Sequence, residues 1–203
     1  MTGFPASWCV MGARAVFLVG FMASGKSTVG PELARRLGWD FVDLDATIEV
    51  RERKSVPDIF RDHGEAGFRL AESNALLHLI QSLERHSVVA LGGGAFVQAN
   101  NRALLRDWPS VFLNAPVEEL WQRSQADGVD RPLRKDRNQF AQLHAERIPF
   151  YRQATLTVET SGREVASICT EIEGALQLRT PSEGSRQDSA ASPSPNSRPG
   201  ESP

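Results

Sequence analysis

Residues 20–28 read GFMASGKST, two glycines five positions apart followed by Lys26 and Ser27, which fits the pattern G-x-x-x-x-G-K-[ST]. A backbone that wraps a phosphate must point several N–H groups inward, and glycines at 20 and 25 permit the dihedrals and the close approach this requires. The rest of the loop, Ala23, Ser24 and Gly25, would supply main-chain donors, with Thr28 in the following turn. Lys26 then reaches the outer phosphates as a point charge, the Ser27 hydroxyl ligates Mg²⁺, and the helix from Lys26 onward aims its positive end at the anion. At average residue frequencies four such fixed positions arise by chance in roughly 1% of chains of this length. The apolar run before the loop and the helical stretch after it make coincidence rarer still, and nucleoside triphosphate binding is the reading.

A phosphate loop alone does not separate a kinase from a GTPase or a motor. No NKxD guanine-specificity motif is present, and the third apolar run, SVVAL, leads to Gly92, Gly93 and Gly94 where a metal-binding aspartate could have ended it. The carboxylate on the metal side must come from elsewhere. Asp43-Leu44-Asp45 closes the second apolar run, and period-2 geometry sets both carboxylates on one face. Two such groups near a nucleotide suggest separate tasks: Asp43 toward the metal through water, and Asp45 toward an acceptor hydroxyl. Asp45 is read equally well as the N-cap of a helix beginning near Ala46. Likewise Arg69, taken by position, is a surface helix arginine paired with Glu72 at i+3. Three glycines in succession could be a plain turn, but at the end of a strand they let backbone N–H groups approach a substrate, and Gly93 is the position expected to do so.

The elements that must hold these groups follow from the apolar pattern. Five short runs, at 15–20, 39–44, 87–92, 110–115 and 155–159, alternate with helical candidates at 26–37, 65–84, 99–106, 116–125, 138–153 and 163–178. Alternation of this kind predicts a parallel sheet covered by helices. Pro116, Glu118 and Glu119 carry the chemistry of a helix start. The polar segment 124–138, SQADGVDRPLRKDRN, reads as a mobile loop between two helices.

At 203 residues the chain has room for one domain of ordinary size. Its net charge of −2 and its lack of a long basic run give no electrostatic footprint for nucleic acid. No stretch is long and apolar enough to span a membrane. Cys9 and Cys169 are too few and too far apart for a disulfide framework or a zinc site, which favours a reducing compartment, the cytoplasm. Residues 1–12 read as an N-terminal extension without the features of an export signal, with Met11 directly before the self-contained part. The domain is expected over 13–179, and 180–203, whose only apolar side chains are Ala190 and Ala191, as a disordered tail.

Residues 15–160 resemble the shikimate kinase family. The resemblance rests on GFMASGKST, FVDLDATIE (41–49), DIFRDHGEAGFRLAE (58–72), LGGGAF (91–96), RPL (131–133) and YR (151–152), in the family's order and at closely similar spacing. It implies a three-layer α/β/α, nucleoside-monophosphate-kinase-like P-loop fold with a five-stranded parallel sheet in the order 2-3-1-4-5. A monomer is the expectation. It implies transfer of the ATP γ-phosphate to the 3-hydroxyl of shikimate with Mg²⁺. Asp45 then matches the aspartate that binds the ring hydroxyls, Arg69 and Arg152 the arginines that grip the carboxylate, Glu72 the partner that holds Arg69, and Arg131 the lid arginine over the phosphates. Two departures stand out: Ala23 replaces a common loop glycine, and Ser124 stands where some members carry an arginine, with Arg123 one place earlier. Rival readings are a small-metabolite kinase such as a gluconate kinase, which has no reason for two arginines and a DxD in this arrangement, and a non-catalytic shikimate-kinase-like binding protein, which should have lost Lys26, Asp45 or an arginine.

Overall fold

The computed structural model describes residues 14–126 and 136–178; Arg131, most of the expected lid, the N-terminal extension and the tail lie outside the described residues. The sheet is built from β1 (Ala15–Val19), β2 (Asp40–Asp43), β3 (Ser87–Ala90), β4 (Ser110–Asn114) and β5 (Leu156–Glu159), all parallel, in the order β2-β3-β1-β4-β5. Every residue of β1 is buried, as a central strand covered on both faces must be. Among the described residues the helices are α1 (Lys26–Leu37), α2 (Leu44–Glu52), α3 (Val56–Gln81), α4 (Ala99–Leu104), α5 (Val117–Ala126), α6 (Arg137–Tyr151) and α7 (Val165–Leu176).

Alternation along β1 divides the core in two. Ala15, Phe17 and Val19 face a cluster with Leu44, Ile48, Phe68, Leu76, Phe140 and Tyr151, contributed by α2, α3 and α6. Val16 and Leu18 face the other way, onto Val29, Leu33 and Leu37 of α1 and Ile168, Cys169 and Ile172 of α7. Arg36 ties α1 to α7 through a bidentate pair with Glu173, Nε to Oε1 at 2.7 Å and NH2 to Oε2 at 2.8 Å.

The strand register brings the motifs together. Leu18 of β1 and Asp43 of β2 both pair with Ala90 of β3, so these three strands end level. The phosphate loop, the DxD and the triple glycine therefore leave one edge of the sheet side by side, at the carboxyl ends where open α/β sheets bind ligands. β3 lies between β1 and β2, which makes the triple glycine the neighbour of both other segments.

Two helix starts that bear on the site differ from the sequence expectation. The helix expected over 65–84 continues back to Val56, because Ser55 caps that end by accepting from the Asp58 N–H, and Gly64 (φ 65°, ψ −175°) breaks α3 into two runs. α2 begins at Leu44 because the cap is Asp43, whose Oδ1 accepts from the N–H groups of Asp45 (2.9 Å) and Ala46 (3.2 Å).

Candidate active site

The phosphate loop is shaped by main-chain geometry. Gly20 (φ 150°) passes so close to its surroundings that a side chain there would lie 2.8 Å from Leu113 O, and Gly25 (φ 97°) is the N-cap of α1. The first turn of α1 holds no acidic residue, which leaves its N–H groups and positive end available to an anion. Ser27 and Thr28 are exposed there, while Ser24 is buried. Lys26 lies back over the loop, with Nζ donating to Gly20 O and Phe21 O, each at 2.9 Å. Ala23 takes φ 61°, the left-handed region that costs an L-residue about 1 kcal/mol. That is where the sequence departs from a glycine.

Beside the loop lies a cavity of about 310 Å³, bounded on its other wall by Arg123, Thr160 and Arg163. Arg123 pairs with Glu119 and reaches Thr160 O at 3.5 Å, and Arg163 NH1 donates to Glu159 O at 3.0 Å. Ser124 is fully buried and donates to Trp121 O at 2.7 Å. Of the two neighbours, Arg123 is the one that faces this cavity.

The acceptor side converges on Gly92–Gly94. A methyl group on Gly92 would lie 2.6 Å from Asp45 Oδ1 and 3.0 Å from Glu72 Oε1, and one on Gly94 would overlap the Arg69 guanidinium. Only glycine allows so close an approach of three charged side chains to the turn. Arg69 NH1 donates to Glu72 Oε2 at 2.9 Å, Gln98 Nε2 donates to the same oxygen at 2.7 Å, and Arg69 also pairs with the exposed Glu65 at 3.2 Å. Glu72 has no exposed surface; burial raises its carboxyl pKa, and Arg69 offsets part of that shift. From α6, Arg147 NH1 donates to Gly93 O at 3.2 Å, with its guanidinium 5.8 Å from the Phe21 ring of the phosphate loop. The buried Tyr151 hydroxyl also donates to Gly93 O, and burial pushes its pKa to about 12, so it remains a donor.

A sequence model of the shikimate kinase family matches residues 22–177. This chain belongs to the shikimate kinase family. A shikimate kinase from Geobacter metallireducens is 44% identical over 82% of this chain and 93% of its own length, and one from Persephonella marina 37% identical over 81% and 99%. Among solved structures, the Acinetobacter baumannii shikimate kinase in complex with shikimate aligns with a TM-score of 0.74 at 35% identity, covering 85% of this chain and 98% of its own. A gluconokinase from Sinorhizobium meliloti aligns with a TM-score of 0.53 at 22% identity over 80% of this chain and 91% of its own, a likeness of fold alone.

Of the residues that the sequence nominated for this family's acceptor site, Asp45, Arg69 and Gly93 come together around one turn. Arg152 does not join them. It is exposed at the C-cap of α6, and only its backbone N–H is engaged, donating to Ile148 O. The reason is helical phase: Arg147 and Tyr151 are four apart and share the face of α6 that looks at Gly93, whereas position 152 is turned about 140° from 147. The α6 arginine at the Gly92–Gly94 turn is therefore Arg147 and not the nominated Arg152. The signal was present in the spacing of Phe140, His144, Arg147 and Tyr151, one stripe at i, i+4, i+7 and i+11. Arg163 was also missed, since no motif marks it. The capping role weighed as the alternative for Asp45 belongs to Asp43.

Proposed function

We propose that this chain transfers the γ-phosphate of ATP to the 3-hydroxyl of shikimate, giving shikimate 3-phosphate and ADP. The observation that carries the reading is the convergence of one carboxylate, Asp45, and two guanidinium groups, Arg69 and Arg147, on the Gly92–Gly94 turn beside a phosphate loop. Two planar forks orient a carboxylate, and a carboxylate opposite them orients a hydroxyl. A ring bearing both groups is the matching substrate.

Phosphoryl transfer depends on positioning and charge neutralisation more than on covalent chemistry. The loop N–H groups from Ala23 to Thr28 would hold the phosphates, and Lys26 would exchange its carbonyl partners for phosphate oxygens. Asp45 would orient the acceptor hydroxyl and take its proton as the O–P bond forms. Glu72 would keep the Arg69 fork in place. Arg131, beyond the described residues, is the lid cation in this reading.

The residues fit Mg²⁺. Among the described residues no group of three or more His, Cys, Asp or Glu could cage a metal. Mg²⁺ needs no cage, because it is commonly held by one or two side chains, substrate phosphates and water. The Ser27 hydroxyl would supply one ligand, and Asp43, with one oxygen capping α2, has its other oxygen for a metal-bound water. When bound, the ion would neutralise charge on the bridging phosphates.

A coupled ADP-release assay with shikimate, gluconate and quinate tests the reading. Shikimate is expected to exceed gluconate by at least about 100-fold in kcat/KM, since a site built for particular polar groups rejects a substrate that leaves them unpaired. Comparable rates with gluconate would overturn the acceptor, and no ADP release with any of the three would favour a binding protein.

A further inference from the structure

A second cavity, of about 370 Å³, opens at the opposite edge of the sheet, where β4 and β5 begin. Its walls include Arg102 and Arg106 from α4 and its C-terminal end, with Ser110, Gln153 and Thr155. Arg102 sits in the last turn of α4 and Arg106 in the turn that follows its end at Leu104, and both line the cavity. Among the described residues neither forms an ion pair with a carboxylate, and Arg106 makes no side-chain contact of any polar kind. Ser110 and Thr155 satisfy each other through main-chain N–H to hydroxyl bonds of 3.2 and 3.1 Å, so the polar groups of the cavity left uncompensated are cationic. A concave space of this volume falls within the usual range for small-ligand sites.

Arg102 is held rigidly. Its NH1 donates to Phe96 O at 2.9 Å and Val97 O at 2.6 Å, and its guanidinium stacks 4.9 Å from the Phe150 ring. Phe96 and Val97 lie just beyond the Gly92–Gly94 turn, and Phe150 sits between Arg147 and Tyr151 in sequence. One side chain thus joins the two segments that form the acceptor side. Both carbonyl bonds use NH1, which leaves Nε and NH2, the edge suited to a bidentate anion, without a bonded partner.

We propose that this cavity is a binding site for a small organic anion, a carboxylate or a phosphate ester, held between Arg102 and Arg106, and that its occupancy is transmitted to the Gly92–Val97 segment through Arg102. An anion on the free edge of Arg102 would leave both carbonyl bonds intact and stiffen the link to Phe150. The site is separate from the phosphate loop and does not depend on which acceptor is phosphorylated.

The test is a ¹H–¹⁵N chemical-shift titration of the full chain with malonate and, separately, with inorganic phosphate, each repeated on Arg106→Gln. Saturable shifts are expected at Ala99–Arg106 and Gln153–Thr155, with a Kd on the order of 1 mM. Amides from Gly93 to Val97 should move with the same midpoint. Arg106→Gln should weaken this binding at least about tenfold, the usual scale for loss of a charge-assisted contact, while turnover without added anion stays as in the wild type. A response to malonate alone assigns a carboxylate, and a response to phosphate alone a phosphate ester. Shifts confined to the phosphate loop, or equal shifts in Arg106→Gln, would overturn the site. Different midpoints for the two sets of amides would overturn the coupling.

Discussion

The nucleotide side and the acceptor side of the cleft are made of different material. The first is one unbroken stretch, residues 20–28, in which the chain's own N–H groups and a helix terminus are the groups offered to an anion. The second is assembled from side chains on three helices, Asp45 on α2, Arg69 and Glu72 on α3, and Arg147 on α6, gathered at a glycine turn. The two meet at Phe21, a loop residue whose ring packs edge-on against Phe140 at 5.0 Å and His144 at 5.2 Å of α6. A site made of backbone tolerates side-chain change as long as the dihedrals survive. A site made of converging side chains loses its chemistry when one of them is shortened.

That contrast ranks the effects of substitution. Asp45→Asn keeps the shape of the acceptor side but removes the base proposed for it, and turnover is expected to fall by roughly 10²–10⁴-fold while ATP affinity, measured by calorimetry, stays within about twofold of wild type. A near-normal rate would reduce Asp45 to a spectator of the helix start. On the loop side the change is smaller and of opposite sign. Ala23→Gly relieves a left-handed φ and should raise the unfolding midpoint, with a gain of about 1 kcal/mol, and leave turnover close to wild type; a destabilised variant would show that the methyl group contributes packing.

The smallest effect lies at the seam. The His144 Nε2 is buried without a hydrogen-bond partner, and burial lowers the ring's pKa from its ordinary value of 6.5. The folded protein therefore binds fewer protons than the unfolded chain just below that value, so this group's contribution is fully present above 6.5 and is lost as pH falls. Denaturant midpoints at about pH 7 and about pH 5 should differ less in His144→Gln than in wild type. An unchanged difference would place the pH dependence on other groups.

The same contrast explains what the sequence disclosed. The phosphate loop and the alternation of five strands with helices were open to reading because each depends on a contiguous pattern, four fixed positions and five apolar runs; the sheet order came from the resemblance, and the level strand ends appear only in the register. Gly93 was expected from three glycines at a strand end, whereas the roles of Asp45 and Arg69 came from the resemblance, since their own surroundings fit an N-cap equally well and a surface ion pair better. The N-cap proved to be Asp43, and the Arg69–Glu72 pair exists, but one oxygen of Glu72 is buried without a partner and the guanidinium fills the space over Gly94. Arg152 was misread because a two-residue motif carries no helical phase, and one residue of error on a helix is about 100° of direction. Arg123 and Arg163 line the nucleotide cavity from segments that only the tertiary fold brings together.

The most direct test of the assembled acceptor side compares Arg147→Ala with Arg152→Ala, varying shikimate at saturating MgATP. Loss of a charge-assisted contact that leaves its partner unpaired commonly costs about 2–4 kcal/mol, or roughly 30- to 1000-fold in affinity. Arg147→Ala should therefore raise the shikimate KM by a factor in that range, with Arg69→Ala behaving alike, while Arg152→Ala stays within about twofold of wild type. A large rise in KM for Arg152→Ala together with a normal KM for Arg147→Ala would contradict the account, because it would put the carboxylate on the face of α6 that points into solvent.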